Sequence, residues 1–149
     1  MALPSFRLQS VLDYRRSLVD TARMELASLE VRCGEEEERL TELRVGERNV
    51  ISQIHEKQRV IVSLPDVMRL NEHLNVLGRR ISNQWSAVQR IRSEIARTRI
   101  RLLELTKDMK AMEKLQERQA EEAAWDTMRQ ERIETSEVAA RHYLTAVAR

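Results

Sequence analysis

Apolar residues recur at alternating steps of three and four along most of this chain, and this rhythm constrains the fold more than any other feature. From Leu12 to Leu64, twelve of the sixteen positions on the repeat are apolar. A second run, from Val67 to Met112, has twelve apolar residues in fourteen positions. A mean spacing of 3.5 residues keeps one narrow stripe facing a partner helix over many turns, as in a coiled coil. The pattern therefore predicts long helices that pack through a seam.

The composition also favours a coiled coil over a globular domain. The chain has 149 residues, of which 34% are charged and 3% are aromatic, with three glycines and two prolines. Such a chain can bury a stripe but not a broad core. We therefore expect an all-α fold, a single coiled-coil domain over residues 1–149.

Pro65 divides the two apolar runs and predicts that the chain folds back on itself. A proline inside a helix costs about 3 kcal/mol, whereas Ser63 and Asp66 suit the start of a second helix, with Pro65 tolerated in its first turn. A short connection between helices favours antiparallel neighbours. We expect helix one over about 5–62, a turn over about 63–66, and helix two over about 66–140, with a frayed C-terminal end as one alternative.

The charge pattern supports the antiparallel arrangement. If residue i faces residue 129 − i, residues 79–101 lie opposite residues 28–50. The first segment carries seven arginines and one glutamate, and the second carries seven glutamates and four arginines. Because flanking charges set the partner and direction of coiled-coil helices, a basic arm should face an acidic arm.

The same register leaves the C-terminal end without a partner. Residue 5 faces residue 124, so the chain beyond about Trp125 extends past helix one. Residues 129–149 would project by roughly 30 Å if helical. Such an overhang with scattered apolar residues is a candidate docking element, although a frayed tail is an equal alternative.

The motifs of enzymes and metal sites are missing from the sequence. It has no glycine-rich phosphate loop and no Gly-x-Ser-x-Gly elbow. Its one cysteine, Cys33, falls in the seam, and its histidines, His55, His73 and His142, are too far apart for ligand spacing. We expect no catalytic residue, no metal and no cofactor, and a protein that is not an enzyme.

The sequence also favours a soluble, cytoplasmic location. Its first ten residues do not resemble a secretory signal, and no window has the ~20 apolar residues needed to span a bilayer. The arginines of residues 79–101 allow an alternative as a nucleic-acid adaptor. Neutralisation by the glutamates of the facing arm is the stronger interpretation, and we expect no nucleic-acid partner and no membrane insertion.

Both ends of the chain resemble the FliJ/YscO family, the central-stalk proteins of flagellar and related type III export machines. Residues 6–15 (FRLQSVLDYR) resemble the Phe-x-Leu-x-x-Val-Leu-x-x-Arg opening of that family. Residues 113–119 (EKLQERQ) and the charged helix after them resemble its Leu-x-Glu-Arg core. One departure is Ser136, which precedes Glu137 where members often have an acid pair.

The resemblance implies a non-enzymatic stalk, which we assign to the flagellar branch, on the cytoplasmic face of the membrane at the basal body. It implies insertion of the terminal end into the hexameric export ATPase, with further contacts to the export gate and the substrate chaperones. The ATPase-binding candidates implied by the resemblance are Phe6, Leu8, Gln9, Leu115, Arg118 and Gln119. The overhang adds three further candidates, Trp125, Met128 and Arg129. The candidates for the gate contact are His73, Leu77 and Arg80.

One alternative function of a different class remains open, a generic structural coiled coil that self-associates as a homodimer. It predicts a doubled mass and helicity that depends on concentration. The stalk hypothesis predicts a monomer when the chain is alone, with a function that depends on its terminal end.

Overall fold

The chain forms two long helices that pack as a helical hairpin, which confirms the predicted fold class. The computed structural model describes residues 6–59 and 63–149. Helix α1 spans Gln9–Arg59 and helix α2 spans Leu64–Val147, and no strand occurs within the described ranges.

Helix α1 begins later than the sequence indicates. Residues 6–8 are not helical, and the amide of Gln9 donates to the carbonyl of Phe6 at 3.0 Å, which closes a turn ahead of the helix. The amide of Leu12 then donates to the carbonyl of Leu8 at 2.9 Å. The predicted start near residue 5 and end near residue 62 both fall outside the described residues.

Helix α2 begins at Leu64, with Pro65 in its first turn, where a missing amide hydrogen leaves no helical carbonyl unpaired. The Ser63 hydroxyl donates to a carboxylate oxygen of Asp66 at 2.8 Å, and the amide of Asp66 donates to the carbonyl of Ser63 at 3.1 Å. The helix therefore includes most of the predicted turn, because these contacts satisfy its first polar groups locally.

The C-terminal end of α2 also differs from the expected end near residue 140, since the helix continues to Val147. No glycine or proline follows Gly78. Residues 138–141 include two alanines and an arginine, which are strong helix formers. Nothing in the local sequence therefore stops the helix at residue 140.

The seam lies where the repeat predicts it. In α1 the buried residues are Leu12, Val19, Ala22, Leu29, Cys33, Leu40, Val50 and Ile54. In α2 they are Leu77, Val88, Ile91, Ile95 and Thr98. All of them are positions of the two apolar runs, so the described core is the predicted stripe.

Contacts divide the chain into two compact units. The turn unit comprises Asp20–Leu103, and the terminal unit comprises Met1–Val19 with Glu104–Arg149. In the turn unit, one buried cluster contains Leu29, Cys33, Ile91 and Ile95. A second contains Val50, Ile54 and Leu77.

Ion pairs in the turn unit join the acidic arm to the basic arm. Arg92 pairs with Glu37 at 2.7 Å and Arg99 pairs with Glu30 at 3.0 Å. Both pairs fit the register in which residue i faces residue 129 − i. A third pair joins Arg101 to Glu25 at 3.5 Å.

In the terminal unit, the start of α1 packs against the later part of α2. Arg15 pairs with Asp108 at 3.0 Å and Arg16 pairs with Glu113 at 3.4 Å. Leu12 is fully buried here, with 0% of its surface exposed. These contacts fix the first three turns of α1 against α2.

Candidate partner-binding surfaces

The predicted ATPase-binding residues lie in the terminal unit, in which the start of α1 packs beside α2. The side-chain amide of Gln116 donates to the side-chain oxygen of Gln9 at 2.9 Å, and the side-chain amide of Gln9 donates to Asp13 at 2.9 Å. This pairing holds the beginning of α1 beside the EKLQERQ segment of α2. The two quoted motifs are therefore neighbours in space.

The side chains around this junction are largely accessible. Leu8, Leu115 and Arg118 are exposed, and Phe6 and Gln119 are half-buried. Two leucines exposed beside a packed seam offer apolar area that the chain itself does not cover.

The overhang, residues 124–149, has every residue exposed. Trp125 is 66% exposed and Tyr143 is 70% exposed, and other large apolar residues accompany them. These others are Met128, Ile133, Val138, Leu144 and Val147. The overhang is helical to Val147, so it has the predicted form of an unpartnered helix.

The overhang has one face that combines apolar and basic residues. Residues 125, 128, 129, 132, 136, 139, 143 and 147 follow helical spacing and so share this face. Shallow grooves lie on both sides of Arg132 and Ser136. The charged side chains of this face are Arg129 and Arg132, and neither forms an ion pair with another described residue.

The carboxylates of the overhang lie outside this face, and Glu131 and Glu137 line the two grooves that border it. Glu131, Glu134 and Glu137 are placed away from Trp125 by the helical repeat. Residues 124–149 contain four arginines and four acidic residues, so the segment is neutral in total. The face that contains Trp125 is basic, whereas the other side carries Arg141 and Arg149 together with the glutamates.

The three gate candidates do not share one environment. His73 and Arg80 are exposed, whereas Leu77 is 6% exposed and packs with Val50 and Ile54. Leu77 therefore packs in the seam, where a partner could reach it only by opening the hairpin. The two polar candidates remain accessible on the helix surface.

A polar contact that sequence reasoning missed lies beside the seam in the turn unit. Cys33 donates its thiol to Glu37 at 3.5 Å, and the same carboxylate oxygen accepts from Arg92. Burial and the neighbouring Glu37 raise the pKa of Cys33, so the thiol stays protonated and weakly nucleophilic. The hydrogen bond from Arg92 lowers the pKa of Glu37.

A second missed contact crosses the seam between two polar repeat positions. The Gln84 amide donates to the backbone carbonyl of Glu36 at 2.9 Å and also to its carboxylate. The sequence did mark these two residues as unusual, because Glu36 and Gln84 are polar residues at positions of the apolar repeat. Which polar residues meet depends on side-chain conformations that the repeat does not specify.

Among the described residues, no group of three or more His, Cys, Asp or Glu side chains could hold a metal ion. Within the same ranges, neither helix contains a stretch apolar and long enough to cross a bilayer.

The antiparallel helices, the seam between them and the exposed extension of α2 define a helical-hairpin protein of the coiled-coil class. A family model described as Flagellar FliJ protein matches residues 4–147, and the chain belongs to this family. The match confirms the predicted resemblance to this family. No curated protein and no solved structure matches the chain. Family membership implies a stalk protein of the flagellar export apparatus, in a family of structural proteins rather than enzymes.

Proposed function

We propose that this chain is the stalk of the flagellar export ATPase, and that it inserts its terminal end into the hexameric ring to promote assembly and ATP hydrolysis. In this proposal the stalk lies at the cytoplasmic face of the membrane, at the flagellar basal body. It also connects the ATPase to the export gate and to substrate chaperones.

The observation that carries the proposal is the exposed helical overhang. Its seven large apolar side chains are in contact with solvent, so the helix has area to bury against a partner. Trp and Tyr are also the residue types that most often dominate binding free energy. Trp125 and Tyr143 on one face suit this role.

The charges of that face define the chemistry of the partner. Arg129 and Arg132 form no ion pair within the described chain, and burial without a counter-charge would be strongly unfavourable. We infer that the ATPase surface combines apolar residues with carboxylates. The neutral total charge of the overhang disfavours simple attraction to an anionic membrane.

The N-terminal residues extend the same binding end. Gln9 bonds to Gln116, and this contact places Phe6 and Leu8 beside the segment that contains Leu115, Arg118 and Gln119. We propose that these residues contact the ring together with Trp125, Met128 and Arg129.

The export-gate contact is proposed for the early turns of α2. His73 and Arg80 are exposed and can reach a partner, and Leu77 supports them from the seam. An isolated replacement of Arg80 should therefore weaken gate binding without loss of helicity.

The test is ATP hydrolysis by the cognate export ATPase, titrated with the full chain and with two variants. W125A/M128A removes large side chains from the proposed face, and E134A/V138A changes exposed residues elsewhere on the overhang. We expect stimulation by the wild type and by E134A/V138A. The W125A/M128A variant should need about tenfold more protein for half-maximal stimulation, since anchor residues contribute more than about 1 kcal/mol each.

Two results would overturn the proposal. Absence of both stimulation and co-elution with the wild-type chain would exclude a stalk of this ATPase. Equal effects of the two variants would exclude the proposed face as the contact.

A further inference from the structure

Trp85 is an exposed aromatic residue of the turn unit, and the ion pairs near it show on which edge of the hairpin it lies. Its side chain is 50% exposed. Arg92 and Arg99 follow it by seven and fourteen residues, and they pair across the seam with Glu37 and Glu30. Because positions seven residues apart lie on the same side of a coiled-coil helix, Trp85 lies on the edge that carries these two pairs.

The same repeat identifies the residues of α1 that lie beside Trp85. Arg44 follows Glu37 by seven residues and Ile51 follows it by fourteen, so both lie on this edge. Since Glu37 pairs with Arg92, an equal step along both helices brings Arg44 opposite Trp85. At this level, an arginine and a tryptophan therefore replace the carboxylate and the arginine of the neighbouring pair.

Gly78 leaves a gap in this edge between two apolar side chains. It precedes Trp85 by seven residues, and the next step of the register places it opposite Ile51, which is 38% exposed. Beyond the backbone of its own helix, no atom lies within 4 Å of the position that a Cβ of residue 78 would occupy. A side chain of another molecule can therefore enter between Trp85 and Ile51 without displacing this chain.

The charge around the gap is positive. Residues 44–51 and 78–85 together contain four arginines and one glutamate, which gives four minus one, a net charge of +3. Arg44 and Arg48 are exposed neighbours four residues apart on α1, and neither forms an ion pair with another described residue. The glutamate, Glu47, is half-buried at a position of the apolar repeat. The surface around Trp85 therefore favours an anionic partner.

This surface is separate from the exposed gate candidates. Arg99 and Arg101 are two residues apart, which is about 200° around α2, and both pair with α1, so they flank the seam on opposite edges. Arg80 precedes Arg101 by twenty-one residues, or three seven-residue repeats, and His73 precedes Arg80 by seven more. The two polar gate candidates therefore lie on the edge opposite Trp85.

We propose that the tryptophan edge, defined as Arg44, Arg48, Ile51, Gly78 and Trp85, binds an acidic amphipathic helix of another protein. An apolar side chain of this helix enters the gap at Gly78, and its carboxylates pair with the two arginines of α1. The inference does not depend on the proposed ATPase contact, because that contact involves the terminal unit.

A helix of another protein suits this edge better than a nucleic acid does. Two antiparallel helices leave a groove along their edge, and a third helix can pack in it through its apolar stripe. Binding of single-stranded nucleic acid commonly uses several aromatic side chains on which successive bases stack. The tryptophan edge has one aromatic residue, and its other apolar member is Ile51.

The test uses a labelled peptide of three seven-residue repeats, with leucine at the first and fourth positions, glutamate at the fifth and seventh, and alanine elsewhere. A second peptide has lysine in place of each glutamate. Fluorescence anisotropy measures binding to the full chain at about 0.15 M salt, where exposed charges more than about 8 Å apart are largely screened. Circular dichroism verifies that every variant keeps the helicity of the wild type.

We expect the glutamate peptide to bind the wild type and the lysine peptide not to bind it. W85A and R44E/R48E should each raise the dissociation constant of the glutamate peptide by about tenfold or more, since aromatic residues and arginines most often dominate binding.

Two matched controls change the same residue types elsewhere on the turn unit. M24A shortens an exposed side chain that points away from α2, because Met24 follows the buried Ala22 by two residues. R90E/R97E makes the same change in charge on the opposite edge, where Arg97 lines a groove with Glu25. Both controls should bind the glutamate peptide within about twofold of the wild type.

Absence of binding between the glutamate peptide and the wild type would overturn the inference. Equal losses in R44E/R48E and R90E/R97E would also overturn it, because binding would then follow net charge alone. Two further results would overturn it by assigning a different occupant to the tryptophan edge. One is a single-stranded oligonucleotide that displaces the peptide at lower concentration, and the other is a wild-type dimer in sedimentation that R44E/R48E does not form.

Discussion

At the scale of single residues, Glu37 links the seam of the turn unit to the charge pattern of its surface. One carboxylate oxygen accepts from the buried thiol of Cys33 and from the guanidinium of Arg92. Burial and the contact with Glu37 raise the pKa of the Cys33 thiol. The contact between Glu37 and Arg92 also makes the stability of the chain depend on pH, and the direction of this dependence can be predicted.

Replacement of Glu37 by glutamine should lower stability at neutral pH and have less effect in acid. Arg92 holds the pKa of Glu37 below its ordinary value of 4.5. The resulting stabilisation is present above the pKa of the unfolded state and is lost as pH falls through the folded-state pKa. Urea unfolding at neutral and acid pH measures it as the difference in midpoint between the wild type and E37Q.

The matched control is E38Q, because Glu38 is exposed and has no ion pair with a described residue. Its midpoint should equal that of the wild type at both pH values. A difference for E37Q that persists unchanged in acid would contradict the assigned contact.

Leu12 tests the packing of the terminal unit. Its side chain is fully buried, with 0% of its surface exposed. The L12A variant should therefore lose about 2–5 kcal/mol of unfolding free energy. Leu64 is the control, because 72% of its surface is exposed. The L64A variant should change the unfolding free energy by less than about 0.5 kcal/mol, and similar losses for both variants would show that the seam does not pass through Leu12.

At the scale of the helices, the repeat predicted which positions are buried because burial in a two-helix seam follows directly from helical geometry. It did not predict the helix ends. Those depend on local hydrogen bonds, such as Ser63 with Asp66, and on the absence of a stop signal near residue 140. The antiparallel register likewise predicted where the overhang begins. It could not predict which polar side chains form pairs.

A proline in the overhang should reduce the helicity of the chain without changing the stability of the packed helices. Glu134 is exposed in a segment with no buried residue, so E134P should interrupt α2 there and reduce the helical signal. The unfolding midpoint of the packed helices should stay unchanged, because the seam contacts lie elsewhere. Circular dichroism with thermal unfolding measures both, and a lower midpoint would show that the overhang packs against the rest of the chain.

At the scale of the molecule, family membership and the exposed terminal helix support the same account. The chain presents apolar area at one end that its own residues do not cover, as a component of a larger assembly does. The sequence identified this end through the resemblance of its two motifs. The sequence alone could not identify the face that we propose for binding, because that depends on which side of α2 the seam already occupies.

The most direct test of the central claim compares the full chain with a truncation that ends at Ala123. This truncation keeps every buried residue and the Gln9–Gln116 contact, and it removes only exposed positions. Both proteins should be equally stable in urea. The full chain should stimulate ATP hydrolysis by the export ATPase, and the truncation should not. Equal stimulation by both proteins would contradict the account, because the overhang would then not be the docking element.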